Sequence, residues 1–103
     1  MRHAAKRDQN HGPIEAVFRR QMLGDHVTDS SKWMGGAGDL FVSFGQVCYF
    51  IEIKRDAKAD YTAAQVRFQR VHPHAVMRCE SVDQAVTLCT MIRKRSRAIE
   101  AVK

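Results

Sequence analysis

The feature that most constrains the fold of this 103-residue chain is a pair of apolar runs, Leu40–Ser43 and Val47–Lys54, separated by a short segment around Gly45. Because glycine adopts positive φ without strain, the two runs predict a β-hairpin with a tight turn. The second run is apolar on both of its faces, which is typical of a strand covered from both sides. The hairpin therefore predicts a layered sheet in which Val47–Lys54 is a central strand.

Helical and strand patterns precede and follow the hairpin. They predict a helix from near Pro13 to Gly24, an edge strand between His26 and Trp33, a helix over Tyr61–Val71 capped by Asp60, a strand over His74–Cys79 and a helix capped by Ser81. The resulting order, α-β-β-β-α-β-α, is typical of a mixed sheet flanked by helices. We therefore expect an α/β fold with an αβββαβ core and a C-terminal helix. Residues 1–11 are polar and are expected to form a flexible N-terminal segment before a single domain over 12–103.

The composition restricts the classes of partner. Seventeen Lys and Arg residues against eleven Asp and Glu residues give a formal net charge of +6. This balance favours an anionic partner such as a nucleic acid, although many small basic proteins bind none. No apolar run approaches the roughly 20 residues of a membrane span, and the first eight residues lead into no apolar segment of a secretory signal. We expect a cytoplasmic protein with no membrane partner.

The cysteines and histidines do not indicate a zinc site. Cys48, Cys79 and Cys89 are odd in number, lie in apolar contexts and include no Cys-x-x-Cys pair. We expect them to be buried free thiols in a reducing compartment. His72 and His74 have no second pair at the spacing of zinc ligands, so we expect them to be loop residues.

A parity argument concerns Asp39 and Glu52. If the hairpin turn is Phe44–Gly45 or Ser43–Gln46, each with an even number of residues, Asp39 lies opposite Phe50 and shares its face. Glu52 then follows two residues later on that same face. An odd-numbered turn would put the two carboxylates on opposite faces. Of the even turns, we favour Ser43–Gln46 over Phe44–Gly45, because the longer one does not force the phenylalanine into positive φ.

These carboxylates and a nearby lysine suit a divalent metal and a phosphodiester. Hydrolysis of a phosphodiester needs a hard cation that screens the anion and binds the attacking water, and Mg²⁺ typically takes one or two carboxylates. Asp39 and Glu52 supply these, the Ile53 carbonyl could add a third ligand, and Lys54 points the same way to hold the water or the phosphate. The alternative is a solvated strand face or a structural ion pair, but burying such charges without purpose is costly.

Two further residues extend the candidate site. Gln65 lies on the helix after the site strand, where its amide could orient the water or a phosphate; alone, it is more typical of a partly buried surface amide. Glu15 could reach the metal from the first helix through a water. It could equally be a plain carboxylate in a first helical turn.

The chain carries Glu15, Gly38-Asp39-Leu40, Glu52-Ile53-Lys54 and Gln65-Val66-Arg67-Phe68 in this order. With these motifs it resembles the PD-(D/E)XK nucleases, and more narrowly the small stand-alone form of the VRR-NUC family known from phages and bacteria. The resemblance covers roughly residues 13–92. It departs from the superfamily pattern in one place, because Gly38 stands where a proline would precede Asp39.

The resemblance implies a restriction-endonuclease-like fold and a Mg²⁺- or Mn²⁺-dependent endonuclease that cuts branched DNA such as Holliday junctions. It also implies a homodimer, in the cytoplasm of a bacterium or of a phage-infected cell. The implied catalytic residues are Asp39, Glu52, Lys54, Gln65 and Glu15, with Asp39, Glu52 and Ile53 on the metal. The basic residues expected to contact DNA are Lys58, Arg55, Arg67 and Lys32.

Two other functions stay open at this point. One is a catalytically inactive nucleic-acid-binding module with a nuclease fold, and the other is an interaction or regulatory protein whose basic charge has no nucleic-acid partner. The complete set of two carboxylates, a lysine and a glutamine argues against the inactive module, because a pure binder has no need of buried carboxylates facing phosphates.

Overall fold

The computed structural model of the chain describes residues 9–33 and 35–102, so residues 1–8 of the predicted flexible segment lie outside the described residues. Within these ranges, three α-helices and four strands follow one another in the predicted order, with a short 3₁₀ turn at Gly24–His26. None of these helices is long and apolar enough to cross a membrane. The elements are α1 (His11–Gln21), β1 (Val27–Asp29), β2 (Leu40–Phe44), β3 (Val47–Ile53), α2 (Ala63–Val71), β4 (Val76–Cys79) and α3 (Val82–Ala101).

The strands form one mixed sheet in the order β1-β2-β3-β4. β1, β2 and β3 are antiparallel neighbours, whereas β4 lies parallel to β3. Parallel neighbours cannot be joined by a tight turn, so the chain crosses from β3 to β4 through α2. The prediction of an α/β fold with a mixed sheet and an interior β3 is confirmed.

The core lies between the sheet and the helix pair α1 and α3. Alternation along β2 and β3 directs Leu40, Val42 and Ile51 to one face, where they pack in one cluster with Phe18 of α1 and Ile92 of α3. All five side chains are fully buried. The residues between them on β3 consequently point to the opposite face of the sheet.

The β2–β3 hairpin differs in register from the predicted one. Its turn is the two-residue segment Gly45–Gln46, so that Phe50 pairs with Phe41 and not with Asp39. The glycine takes φ +56°, as a tight hairpin turn requires at its first position. Because the register shift is two residues, every side chain keeps its predicted face. Asp39 now lies nearer to Glu52 than predicted.

The second face of the sheet is only partly covered, by α2. Phe68 of α2 packs on Phe50 with ring centroids 5.3 Å apart, but Phe50 stays half-buried and Cys48 is exposed. The predictions of a β3 buried from both sides and of a buried Cys48 thiol are therefore wrong, because α2 covers the strand near Phe50 and leaves Cys48 open. Cys79 and Cys89 are buried free thiols, as predicted.

The first helix begins and ends at different residues than predicted. α1 begins at His11, one half-turn before Pro13, and ends at Gln21. Leu23 and Gly24, which follow the helix, both take positive φ, +61° and +45°. His11 is thus a buried helical residue and not part of a polar N-terminal segment.

The later elements also correct the predicted caps. α2 is capped by Thr62 and not by Asp60, because the Thr62 Oγ1 accepts the Gln65 backbone N–H at 3.2 Å. β4 begins at Val76, two residues later than predicted. Ser81 caps α3 as predicted.

Gly45→Ala is expected to destabilise the protein by about 1 to 3 kcal/mol. The added methyl group would sit at a positive φ, and an ideal Cβ there lies 2.0 Å from the Oγ of the buried Ser96. Urea unfolding followed by circular dichroism measures the difference. The matched control is Gly12→Ala in the first turn of α1, where a Cβ meets nothing within 4 Å. The control is expected to be neutral or slightly stabilising, and a Gly45→Ala protein as stable as the wild type would contradict the described turn.

Candidate active site

Asp39 is held against the end of β3 by two hydrogen bonds. Its backbone N–H donates to the Ile51 carbonyl at 2.8 Å, and its Oδ2 accepts the Ile53 N–H at 2.8 Å. Gly38 precedes it at φ +112°, and a Cβ at this position would lie 3.1 Å from the Ile51 oxygen. Glycine therefore lets the chain approach β3 this closely, and the approach places the Asp39 carboxylate at the end of the strand.

The structure brings Glu52 and Lys54 together at the end of β3. They are only 4% and 9% exposed, and the Lys54 Nζ lies 3.6 Å from the Glu52 Oε1. The same Nζ lies 5.6 Å from the centroid of the Tyr61 ring, whose face attracts a cation. The lysine ammonium is thus held between a carboxylate and an aromatic ring.

Gln65 joins α2 to both charged residues. Its Nε2 donates to the Glu52 Oε1 at 2.6 Å, and its Oε1 accepts from the Lys54 Nζ at 3.0 Å. The same Oε1 accepts the Thr62 N–H at 2.8 Å, which together with the Thr62 cap forms a capping box. Because Thr62 N–H and the ammonium only donate, the amide oxygen faces them and the amide nitrogen faces Glu52. The capping box therefore fixes the orientation of the Gln65 amide, which binds both Glu52 and Lys54.

The two carboxylates are close enough to influence each other. The pKa of Glu52 is raised from 4.5 to about 7, first by burial and then by the neighbouring Asp39 carboxylate, while Lys54 acts in the opposite direction. One ammonium group is thus insufficient to offset two carboxylates in this poorly solvated position. A cation bound by both carboxylates would relieve the repulsion.

Ile53 contributes its backbone N–H to the site, through the bond to Asp39. Its carbonyl as a third metal ligand stays a prediction. Among the described residues, no three His, Cys, Asp or Glu side chains lie together as a metal-binding group. The side-chain donors are therefore the two carboxylates, a number that Mg²⁺ accepts because it retains several waters.

Glu15 is connected to the site through His11, a residue that the sequence patterns did not indicate. The His11 Nε2 lies 3.2 Å from the Glu15 Oε1, and its Nδ1 lies 4.0 Å from the Asp39 Oδ1. Glu15 also accepts a hydrogen bond from the Arg19 Nε at 2.8 Å. Glu15 is therefore one side chain removed from Asp39, and its predicted water-mediated contact with a metal stays a prediction. A helix predicted to begin at His11 would have placed His11 and Glu15, four residues apart, on the same side of α1. That spacing is the sequence signal for their contact.

Asn10 is a second residue that the sequence patterns did not indicate. Its Nδ2 donates to the carbonyls of Lys54 and Glu80, each at 2.9 Å. These two carbonyls follow the ends of β3 and β4, so Asn10 ties the start of α1 to the edge of the sheet that carries the site. A polar residue outside any apolar periodicity gives no sequence signal for such a contact.

The four basic residues expected to contact DNA are exposed and lie outside the carboxylate cluster. The Arg55 side chain is 70% exposed and lies 3.6 Å from Asp56, which also accepts the backbone N–H of Lys58. Lys32 lies in the loop between β1 and β2, and Arg67 lies on the solvent side of α2. Their exposure leaves them accessible to an anionic partner, and the contact with DNA stays a prediction.

Comparison with known proteins found no matching family model, no matching curated protein and no matching solved structure. The geometry of the site is therefore the basis of the functional argument.

With a chelator present, Glu52→Gln is expected to gain stability over the wild type as the pH rises. The pKa of Glu52 is raised in the folded protein, so the wild type loses stability as the pH rises from the ordinary value of 4.5 through about 7. Glutamine keeps the shape, and its side-chain oxygen still accepts from Gln65. The gain should grow by about 2 to 3 kcal/mol between pH 5 and pH 8, since one pKa unit corresponds to about 1.4 kcal/mol.

Urea unfolding at the two pH values measures this gain. The matched control is Glu100→Gln, which removes one negative charge from the exposed end of α3 and should show no comparable pH-dependent gain. If the difference in unfolding free energy between Glu52→Gln and the wild type did not change with pH, the raised pKa of Glu52 would be contradicted.

Proposed function

We propose that this protein is a metal-dependent DNA endonuclease of the PD-(D/E)XK superfamily, with the VRR-NUC family as the narrower assignment. The observation that carries the proposal is the convergence of Asp39, Glu52 and Lys54 at the end of β3, with Gln65 bound to the last two. The αβββαβ order followed by a C-terminal helix is compatible with this superfamily. The net charge of +6 favours an anionic substrate.

The donor set fits a hard divalent cation such as Mg²⁺ or Mn²⁺. Such ions prefer carboxylate and carbonyl oxygens. The pKa of Glu52 is raised by burial and then by the neighbouring Asp39 carboxylate, and Lys54 does not fully offset these two effects. We expect Asp39, Glu52 and the Ile53 carbonyl to hold the ion. When bound, the ion would screen the phosphodiester and supply a water of lowered pKa.

Lys54 would stabilise the negative charge that develops on the phosphate during hydrolysis. Its ammonium has three donors, of which Gln65 accepts one at 3.0 Å and Glu52 lies near another at 3.6 Å. The remaining donor suits a substrate oxygen or the attacking water. Because Lys54 is buried from bulk solvent, its charge acts where electrostatic stabilisation is strongest. Gln65 keeps the lysine and the glutamate in fixed positions relative to each other.

The resemblance extends the proposal to branched DNA and to a homodimer. A four-way junction needs two symmetry-related cuts, and two copies of a chain with one site each would supply them. Arg55 and Lys58 lie in the loop that directly follows Lys54, so we expect them to bind the phosphates nearest the site. Arg67 and Lys32 would bind farther along the strand.

Wild-type protein is expected to cut labelled four-way junction DNA in Mg²⁺ or Mn²⁺. Lys54→Met should lower the rate about 10²- to 10³-fold, because the developing phosphate charge loses its buried cation. Methionine keeps an unbranched apolar stem of similar length. Single-turnover cleavage of junction, flap, duplex and single-stranded DNA measures the rates, and their ranking identifies the preferred branch.

The matched control for that experiment is Lys94→Met, which removes one cation from the exposed surface of α3 and should keep most of the rate. Thermal unfolding checks that both variants are folded. Full cleavage by Lys54→Met would contradict the role of this lysine. Junction binding without products in either metal would identify the inactive nucleic-acid-binding module instead, and no affinity for DNA at moderate salt would favour an interaction protein.

A further inference from the structure

A row of aromatic rings lies on the face of the sheet opposite α1 and α3. Trp33, Phe41, Phe50, Phe68 and His72 contact one another in this order, with ring centroids 5.4, 5.0, 5.3 and 4.6 Å apart. These five residues are called the aromatic row below. Their separations fall in the range of favourable ring pairs, so the rings hold one another in place.

Trp33 presents an open ring surface at one end of the aromatic row. The residue is 50% exposed, although its indole also contacts Phe41 and, edge-on at 6.2 Å, Phe50. Hydrogen bonds hold its loop: among them, the Trp33 N–H donates to the Ser30 carbonyl, and the Ser30 Oγ donates to the Gly38 carbonyl, each at 3.0 Å. The indole is therefore held by two neighbouring rings while half of the residue's surface stays accessible.

The aromatic row borders the candidate active site. Phe50 precedes Glu52 by two residues on the same face of β3, a separation of about 6.6 Å along a strand. The loop that carries Trp33 is bonded directly to Asp39, whose carbonyl accepts the Ser30 N–H at 3.0 Å. The indole therefore lies on the same side of the sheet as the carboxylates, so one nucleic-acid strand could contact both.

We propose that Trp33 stacks against an unpaired nucleobase of the DNA strand that enters the site. This inference rests on the proposed nuclease function. The feature of branched DNA that the protein recognises is then an unpaired base, at a branch point or in a single-stranded arm. Every nucleobase has a π face that an aromatic side chain can bind. The contact consequently selects for strand structure and not for base sequence.

Charge and ring shape favour a nucleobase over a second protein chain. A single planar base needs only one ring as a stacking surface, and Trp33 is half exposed. The adjacent Lys32 is exposed and the chain carries a net charge of +6, which suits a polyanion.

Trp33 is the only tryptophan of the chain, so its fluorescence reports the contact directly. With EDTA present to prevent cleavage, a single-stranded oligothymidylate should quench the emission saturably. A blunt duplex of equal length should quench it much less at the same bound fraction. Heparin, a polyanion without bases, should leave the emission nearly unchanged and thereby controls for charge alone.

Substitution of the ring tests its contribution to affinity. Trp33→Ala should weaken binding of a labelled oligothymidylate about 5- to 100-fold by fluorescence anisotropy. Trp33→Phe keeps an aromatic ring and should retain most of the affinity, which separates loss of stacking from loss of the fold. Val102→Ala trims an exposed apolar side chain at the far end of α3 and should bind like the wild type.

The outcomes separate this inference from the proposed function. Unchanged emission together with unchanged affinity of Trp33→Ala would overturn the stacking contact, even where the wild type cuts junction DNA. Quenching without cleavage in Mg²⁺ or Mn²⁺ would support the stacking contact and contradict the nuclease function alone. Equal quenching by single strand and duplex would overturn the preference for an unpaired base. A dimer that Trp33→Ala dissociates in sedimentation equilibrium, with DNA affinity intact, would assign the ring to a contact between copies.

Discussion

The side-chain amide of Gln65 makes the contacts on which the rest of the candidate site depends. Its oxygen accepts hydrogen bonds from Thr62 and Lys54, and its nitrogen donates to Glu52. A primary amide accepts at one end and donates at the other, so neither a carboxylate nor an ammonium group at position 65 would satisfy both neighbours. One side chain therefore fixes the start of α2 to the end of β3 and also positions the groups that would act on a phosphate.

The site concentrates charge where the protein excludes water. Glu52 and Lys54 are nearly inaccessible to solvent, an environment in which ions are costly and apolar residues are often more stabilising. The Asp39 carboxylate adds to that cost, since it helps to raise the pKa of Glu52. The other face of the same sheet is an apolar core. Unfavourable electrostatics confined to one edge of an otherwise well-packed fold are typical of a binding or catalytic site.

The hairpin shows which features of the fold can be predicted from sequence patterns. Alternation along β3 predicted which residues share a face, and the structure keeps those faces although the turn is two residues shorter than predicted, because a shift by two residues preserves them. The prediction for Cys48 failed for a different reason. Burial depends on what covers a side chain, and α2 covers β3 at Phe50 but leaves Cys48 open.

The sequence by itself determined the order of the elements, the α/β class and the two strands that carry the candidate site. These depend on local periodicity, on a turn glycine and on caps such as Ser81, all of which act within a few residues. Only the tertiary structure decided that His11 meets Asp39, that Asn10 binds the ends of β3 and β4, and that Gln65 binds Glu52 and Lys54. Such polar contacts join residues distant in the chain, so they depend on how helices and strands are placed relative to one another. No local pattern carries that information.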